Sequence, residues 1–157
     1  MNFKNMSKQK RTVGDFLEMS LPNGKWGYAR VLNNASYAIY DLMTDEAVEV
    51  SEIDRHDILF TLAVYKNAVT SGRWVVIGCL PLEESLMQLP IKFIQDEIDP
   101  EKFNLYNPNT GTISPAKKQD CVGLERAAVW DPLHVEERIV DYFSNKPNNW
   151  CEEMKIK

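Results

Sequence analysis

Two chain reversals divide residues 16–42, FLEMSLPNGKWGYARVLNNASYAIYDL, into three short apolar segments. In the first segment apolar residues alternate with Glu18 and Ser20, as they do in a half-buried strand. Pro22-Asn23-Gly24 is a turn sequence, because proline presets φ and Asn-Gly tolerates left-handed backbone. Asn33-Asn34 marks the second reversal. The stretch therefore predicts a β-meander of three strands.

The clearest helix signal lies near the end of the chain. Asp131 is a good N-cap, and Pro132 suits the first helical position because its missing N–H costs nothing there. Apolar residues then recur at helical spacing as far as Phe143, and Asn145 with Pro147 ends the pattern. These signals predict an α+β fold: a mainly antiparallel, twisted sheet, or a partly closed barrel, with this amphipathic helix packed on it.

The middle of the chain predicts further short elements. Residues 58–65, 73–77 and 125–130 are rich in apolar, β-branched and aromatic side chains, which favours strands. Two short helices are predicted as well, one capped at Ser51 and one opened by Pro81.

Length and composition indicate one globular unit. The chain has 157 residues, of which 44% are hydrophobic and 26% charged, as is usual for a globular protein. We expect a basic, flexible leader at residues 1–11 and a single domain at residues 12–157. The N-terminus lacks the apolar core of a signal peptide, and no apolar run is long enough for a bilayer span. The sequence therefore predicts a soluble, cytoplasmic protein with no membrane partner.

The charge balance indicates what kind of partner the domain would bind. The net charge is −5, but four bases and no acid lie in residues 1–11, so residues 12–157 carry 14 bases against 23 acids, a net −9. An acidic body repels the phosphate backbone and attracts basic partners. We therefore expect no direct contact with nucleic acid.

Residues 41–57 concentrate this negative charge. They hold seven acids against Arg55 alone, a net charge of −6. Because these acids fall between predicted strands, their side chains should be free to meet a partner, although a solubilising surface is the alternative. The candidate partner-binding residues are Asp41, Asp45, Glu46, Glu49, Glu52 and Asp54.

Tryptophan beside arginine provides a second set of candidates. Trp74 follows Arg73, and Trp130 lies four residues after Arg126. These residue types are enriched at the centres of protein interfaces, so all four are candidate interface anchors, with core packing as the alternative.

No pattern in the chain predicts catalysis. The glycine-rich phosphate loops, the serine-nucleophile elbow and the zinc-protease motif are all absent. Glu52 and His56 have the spacing of metal ligands on a helix, but an exposed acidic turn explains them better. Cys79, Cys121 and Cys151 form an odd set without a Cys-x-x-Cys pair, which favours reduced thiols. We therefore predict no catalytic residue, no metal site and no cofactor.

Six segments of the chain carry a family resemblance. They are Gly14-Asp15-Phe16, Leu21-Pro22-x-Gly24, Gly27-Tyr28-Ala29-Arg30-Val31-Leu32, Ser71-Gly72-Arg73-Trp74, Pro81-Leu82-Glu83-Glu84 and Gly123-Leu124-Glu125-Arg126-Ala127-Ala128-Val129-Trp130-Asp131-Pro132. Together these segments resemble the immunity protein 26 family of bacterial polymorphic-toxin systems. The chain departs from the family pattern at Met19-Ser20, where an apolar residue and a proline are expected.

The resemblance implies a non-enzymatic protein that binds and neutralises the C-terminal domain of a cognate toxin. Many such toxins are basic nucleases, which an acidic inhibitor would attract. Residues shared across such a family are expected to hold the fold rather than touch the toxin. Two other classes stay open at this point: a small carboxylate-based hydrolase, and a module associated with nucleic acid.

Overall fold

The computed structural model describes residues 7–157, which form two sheets and six short or medium helices. The strands are β1 (Asp15–Ser20), β2 (Trp26–Val31), β3 (Ser36–Thr44), β4 (Ile58–Val64), β5 (Trp74–Cys79), β6 (Lys92–Gln95), β7 (Phe103–Asn107), β8 (Thr112–Ala116) and β9 (Val129–Trp130). The helices are α1 (Val50–Ile53), α2 (Asn67–Thr70), α3 (Glu84–Met87), α4 (Lys118–Cys121), α5 (Pro132–Phe143) and α6 (Asn149–Met154).

The first sheet has six strands in the order β5-β1-β2-β3-β4-β9. All its pairs are antiparallel except β4 with β9, so the predicted meander of β1, β2 and β3 is confirmed. At the second reversal Asn34 and Ala35 adopt positive φ values of 52° and 55°, which lets the chain turn within four residues. The sheet is twisted and open, so the α+β prediction is confirmed in its open-sheet form rather than as a barrel.

Each face of this sheet carries its own core, because successive side chains of a strand point to opposite faces. The larger core includes Leu17, Met19, Val31, Ile39 and Leu62. The smaller core on the other face consists of Phe16, Tyr28, Tyr40 and Ile53. Both faces are therefore covered by other parts of the chain.

Helix α5 covers the larger core, as the sequence predicts. Asp131 accepts a hydrogen bond from the Leu133 N–H at 2.9 Å, and Pro132 occupies the first turn. Val135 and Ile139 are fully buried against the sheet, while Phe143 is partly buried.

The two short helices begin elsewhere than predicted. Glu49, not Ser51, is the N-cap of α1, and its side chain makes no capping bond. Helix α3 begins at Glu84 rather than in the turn that Pro81 would open. The Pro81 carbonyl instead accepts a hydrogen bond from Arg30, which holds this segment in an extended form.

The predicted strand at 125–130 is divided between the two sheets. The Glu125 carbonyl accepts from the Phe93 N–H, and the Ala127 N–H donates to the Phe93 carbonyl, so this part pairs with β6. Only Val129 and Trp130 reach the first sheet, where they pair with the end of β4. The strand-like composition of the segment could not show that it changes its pairing partner.

The second sheet consists of β6, β7 and β8, all antiparallel. Its buried cluster contains Phe93, Phe103 and Cys121. The sheet therefore has a core of its own, separate from the two cores of the first sheet.

Part of the predicted leader is bound to the first sheet. The Gln9 side chain donates to the Trp74 carbonyl at 2.7 Å and accepts from the Val76 N–H at 2.9 Å, along the outer edge of β5. Arg11 donates to the carbonyls of Leu32 and Ser36. Gln9 and Arg11 are thus attached to the first sheet, while residues 1–6 of the predicted flexible leader lie outside the described part of the chain.

Within residues 7–157, no helix is both long and apolar enough to cross a bilayer.

Candidate partner-binding surface

Residues 45–57, called the acidic lid below, cover the smaller core of the first sheet. Ile53 is fully buried within that core, and Val48 and Val50 pack against it. The lid therefore binds the sheet through its apolar side chains, which directs its charged side chains outward.

Two further contacts fix the lid on the sheet. The Val48 N–H donates to the Tyr28 hydroxyl at 3.1 Å, and that hydroxyl lies 3.2 Å from Oγ1 of Thr44. Val50 lies so close to Gly78 of β5 that a Cβ added at this glycine would be 2.7 Å from the Val50 Cγ2 atom. Only glycine at this position allows the lid to approach the sheet so closely.

The predicted acidic residues lie where a partner can reach them. Asp41, just before the lid, and Glu52 within it are half-buried. The exposed members of the set are Asp45, Glu46, Glu49 and Asp54, together with Asp57, which was not among the candidates. The structure thus brings the candidate acids onto one short, well-packed segment.

Few cations offset this charge. Asp45 pairs with Lys25 at 3.2 Å, and Glu52 lies 3.2 Å from Arg55 and 3.5 Å from His56. Within residues 7–157, no cationic side chain lies within 4.0 Å of Glu46 or Glu49. The lid therefore presents a net negative surface.

The spacing of Glu52 and His56 does bring their side chains together. The part of the chain that the structure describes nevertheless contains no group of three or more metal-ligating side chains.

Arg30, which is fully buried, connects the lid to the end of β5. Its Nε donates to the Gly14 carbonyl at 2.7 Å and its Nη2 to the Leu80 carbonyl at 2.6 Å. Its Nη1 lies 3.0 Å from Oε1 of Glu83 and 4.0 Å from Oδ1 of Asp54. A buried guanidinium needs this many acceptors, so Arg30 is a structural centre rather than a partner contact.

Glu83 enlarges the acidic surface beyond the predicted set. Its side chain is 50% exposed and shares the Arg30 guanidinium with Asp54, so the two carboxylates lie side by side. Glu84 follows it and is exposed as well. The sequence signal was present, because both residues occur in a segment that resembles the family, but nothing in the sequence placed them beside the lid.

Burial near the lid perturbs two neighbouring groups. Glu18 and Tyr28 face each other across β1 and β2. Desolvation raises the pKa of the Glu18 carboxyl, with a hydrogen bond from Tyr28 opposing the shift, and desolvation also raises the pKa of Tyr28. Tyr28 therefore stays a neutral hydroxyl that can hold the lid backbone.

Of the predicted anchor pair, Arg73 is exposed and Trp74 is buried. Trp74 is fully buried and its Nε1 donates to Glu136 at 2.9 Å. Arg73 binds the same carboxylate with two hydrogen bonds, of 2.7 and 2.9 Å, and Glu136 is only 2% exposed. This pair holds α5 against the sheet, so the prediction of interface anchors is wrong for Trp74.

The second predicted pair is structural too. Trp130 is 3% exposed within the larger core, so it is not available to a partner. Arg126 donates to the Met154 carbonyl at 3.0 Å and to Gln95 Oε1 at 3.1 Å, with its guanidinium 4.8 Å above the Phe93 ring. Arg126 therefore connects α6 to the second sheet. Sequence could not separate these roles, because interface and core use the same residue types.

Comparison with known proteins gives one match. No curated protein and no solved structure is similar enough to match the chain. The sequence model of the family described as Immunity protein 26 matches residues 12–104, which is more than half of the chain and includes the lid and Arg30. The match does not reach the resembling segment at 123–132. The chain therefore belongs to the Immunity protein 26 family.

Proposed function

We propose that this protein binds and neutralises a cognate toxin, and that the acidic lid is the surface that meets it. The observation that carries the proposal is that the lid acids are exposed while the lid's apolar side chains are packed on the sheet. Carboxylates held on a packed segment keep their positions before binding, so little conformational entropy is lost when a partner arrives.

The charge of the lid indicates the chemistry of the partner. A negative surface attracts a basic protein from a distance and raises the association rate, up to about 10⁸–10⁹ M⁻¹s⁻¹ at low salt. A basic nuclease domain at the C-terminus of a toxin has the complementary charge. Such an inhibitor acts in the cytoplasm, by occupying the toxin, and needs neither catalysis nor a cofactor.

The test is the binding kinetics of a lid variant. D45N/E46Q/E49Q/E52Q removes four charges from exposed or half-exposed positions. We expect its association rate with the purified toxin domain encoded by the neighbouring gene to fall about tenfold at low salt, with a flatter dependence on ionic strength. Surface plasmon resonance at several salt concentrations measures both quantities.

A matched variant controls for net charge. E97Q/E101Q/E152Q/E153Q also removes four charges, from exposed carboxylates outside the lid. We expect this variant to bind almost as the wild type does. Equal losses in both variants would mean that only overall charge matters, and no loss in the lid variant would remove the lid from the interface.

Protection of cells is the functional readout. Cells that produce the toxin domain should survive with the wild-type protein and with the control variant, and grow more slowly with the lid variant. If the wild-type protein neither binds nor protects, the proposal of a toxin inhibitor fails altogether.

A further inference from the structure

A cleft opens where the second sheet meets the first, away from the lid. Its volume is about 270 Å³. Residues of the β2–β3 turn, β4, the second sheet and the segment before Trp130 contribute to it, and most of them are small or apolar. The lining includes Asn34, Lys92, Tyr106, Ala127, Ala128 and Val129.

Lys92 is the charged residue of this lining. It is only 5% exposed, and among residues 7–157 its ammonium has one hydrogen-bond acceptor, the Thr61 carbonyl at 2.8 Å. A lysine ammonium has three donors, and a buried charge with unused donors is costly unless an acceptor is supplied. Desolvation accordingly lowers the pKa of Lys92, with Glu125 opposing the shift.

Tyr106 adds a second donor on the same side of the sheet. Lys92 and Tyr106 lie directly opposite each other on β6 and β7, so their side chains share one face. The Tyr106 hydroxyl accepts from Nδ2 of Asn34 at 3.4 Å. Within the described part of the chain its own O–H has no acceptor, so it too can donate to a ligand.

The volume of the cleft restricts what can enter. Sites for drug-sized ligands and cofactors occupy roughly 300–1,000 Å³, so this cleft, at about 270 Å³, suits a ligand at or below the small end of that range. An apolar wall with ammonium and hydroxyl donors favours a ligand that has a short aliphatic part and a negatively charged acceptor.

We propose that this cleft binds a carboxylate on a short aliphatic stem, with Lys92 as its counter-charge and Tyr106 as a second donor. The ligand is either a free short-chain acid or the glutamate side chain of a bound protein, since both present the same group. The cleft is separate from the acidic lid, so this proposal and the toxin-binding proposal can fail independently.

Two small carboxylates test the site on the full chain. Isobutyrate represents the free acid, and N-acetylglutamic acid amide represents a protein side chain. We expect saturable shifts in the backbone NMR signals of Ala127, Ala128 and Val129, with a dissociation constant on the order of 1 mM for ligands of this size. Tighter binding of one probe would identify whether the ligand is a free acid or a protein side chain. Neutral isobutyramide should give no saturable shift.

Three variants complete the test. K92M should weaken carboxylate binding about tenfold or more, because it removes a charged hydrogen bond. A128L should block binding by filling the cleft while Lys92 is retained, which keeps the proposal testable if K92M does not fold. K102M, at an exposed lysine of the β6–β7 turn, should bind as the wild type does. The proposal would be overturned if neither probe bound, or if K92M and A128L both bound the probes as the wild type does.

Discussion

The acidic lid and the segment 125–138 are both rich in charged residues, but the charged side chains of the two regions lie in different environments. In the lid, apolar side chains pack on the sheet and the acids face solvent. In the segment 125–138, Glu125, Glu136 and Arg138 form ion pairs within the fold. Glu136 is 2% exposed, and Arg138 makes two hydrogen bonds to Glu125 with its guanidinium 3.9 Å above the Phe60 ring. Charge density in a sequence therefore does not tell which segment meets a partner.

The difference follows from what each segment must connect. The lid crosses one face of a single sheet, so one apolar side suffices to hold it. The segment 125–138 passes from the second sheet to the first and into α5, and its ion pairs join these three parts. Several residues that resemble the family, such as Arg73 and Arg126, thus make contacts within the fold.

Breaking the ion pair between Arg73 and Glu136 should have the largest effect on the free energy of unfolding. Arg73→Ala leaves the buried Glu136 carboxylate with Trp74 Nε1 as its remaining side-chain donor. Loss of its counter-charge should lower the free energy of unfolding by about 3–4 kcal/mol, the lower part of the range for buried pairs because the Arg73 side chain is 39% exposed; urea denaturation measures this loss. Arg55→Ala is the control, because its pair with Glu52 is exposed and should change stability by less than about 0.5 kcal/mol. Equal losses of stability in Arg73→Ala and Arg55→Ala would contradict the difference between the two regions.

Removing a core side chain from α5 sharpens the comparison. Ile139→Ala deletes a fully buried side chain on the helix that carries Glu136. We expect a loss of about 3 kcal/mol in the free energy of unfolding, within the usual range for such deletions. Leu133→Ala, on an exposed position of the same helix, should cost far less. A melting temperature for Ile139→Ala that equals that of the wild type would contradict the packing of α5.

The lid should be displaced by a single methyl group. Gly78→Ala places a Cβ about 2.7 Å from Val50, so we expect a loss of about 1–2 kcal/mol and weaker toxin binding. Val50→Ala in the same chain removes the clash and should restore part of both quantities. If the double variant is no better than Gly78→Ala, the lid is not held by this contact.

The pH dependence that Glu18 causes should be the smallest of these effects on stability. Burial raises the pKa of Glu18 above its ordinary value of 4.5, so the folded state binds this proton more tightly than the unfolded state. The contribution of Glu18 to stability is therefore favourable at low pH and is lost as the pH rises through the raised pKa. As the pH rises from 4 to 7, the melting temperature of Glu18→Gln should therefore increase relative to that of the wild type. Glu101→Gln, at an exposed site, should follow the wild type.

Local patterns predicted the elements but not their partners. The meander and α5 were predictable, because turn residues, caps and periodicity act over a few residues. The split of 125–130 between two sheets depends on contacts with β6 and β4, which no local pattern encodes. The acidity of the lid was visible in the sequence, whereas its attachment through Tyr28 and Gly78 was not.

The burial of Trp74 and Trp130 illustrates the same limit. Tryptophan next to arginine is typical of interfaces, but a carboxylate distant in sequence can satisfy the same groups inside the protein. Glu136 does so for Trp74, from a helix that begins far along the chain. Whether such a pair is external or internal is decided by tertiary contacts.

The parallel pairing of β4 with β9 has a consequence for the order of folding. The two strands are separated in sequence by the whole second sheet, whereas β1, β2 and β3 are joined by short turns. Contacts between distant residues form late, since a long loop must close first. During synthesis the meander can therefore form while the edge of β4 is still uncovered, and β9 closes that edge only after the whole second sheet has been synthesised.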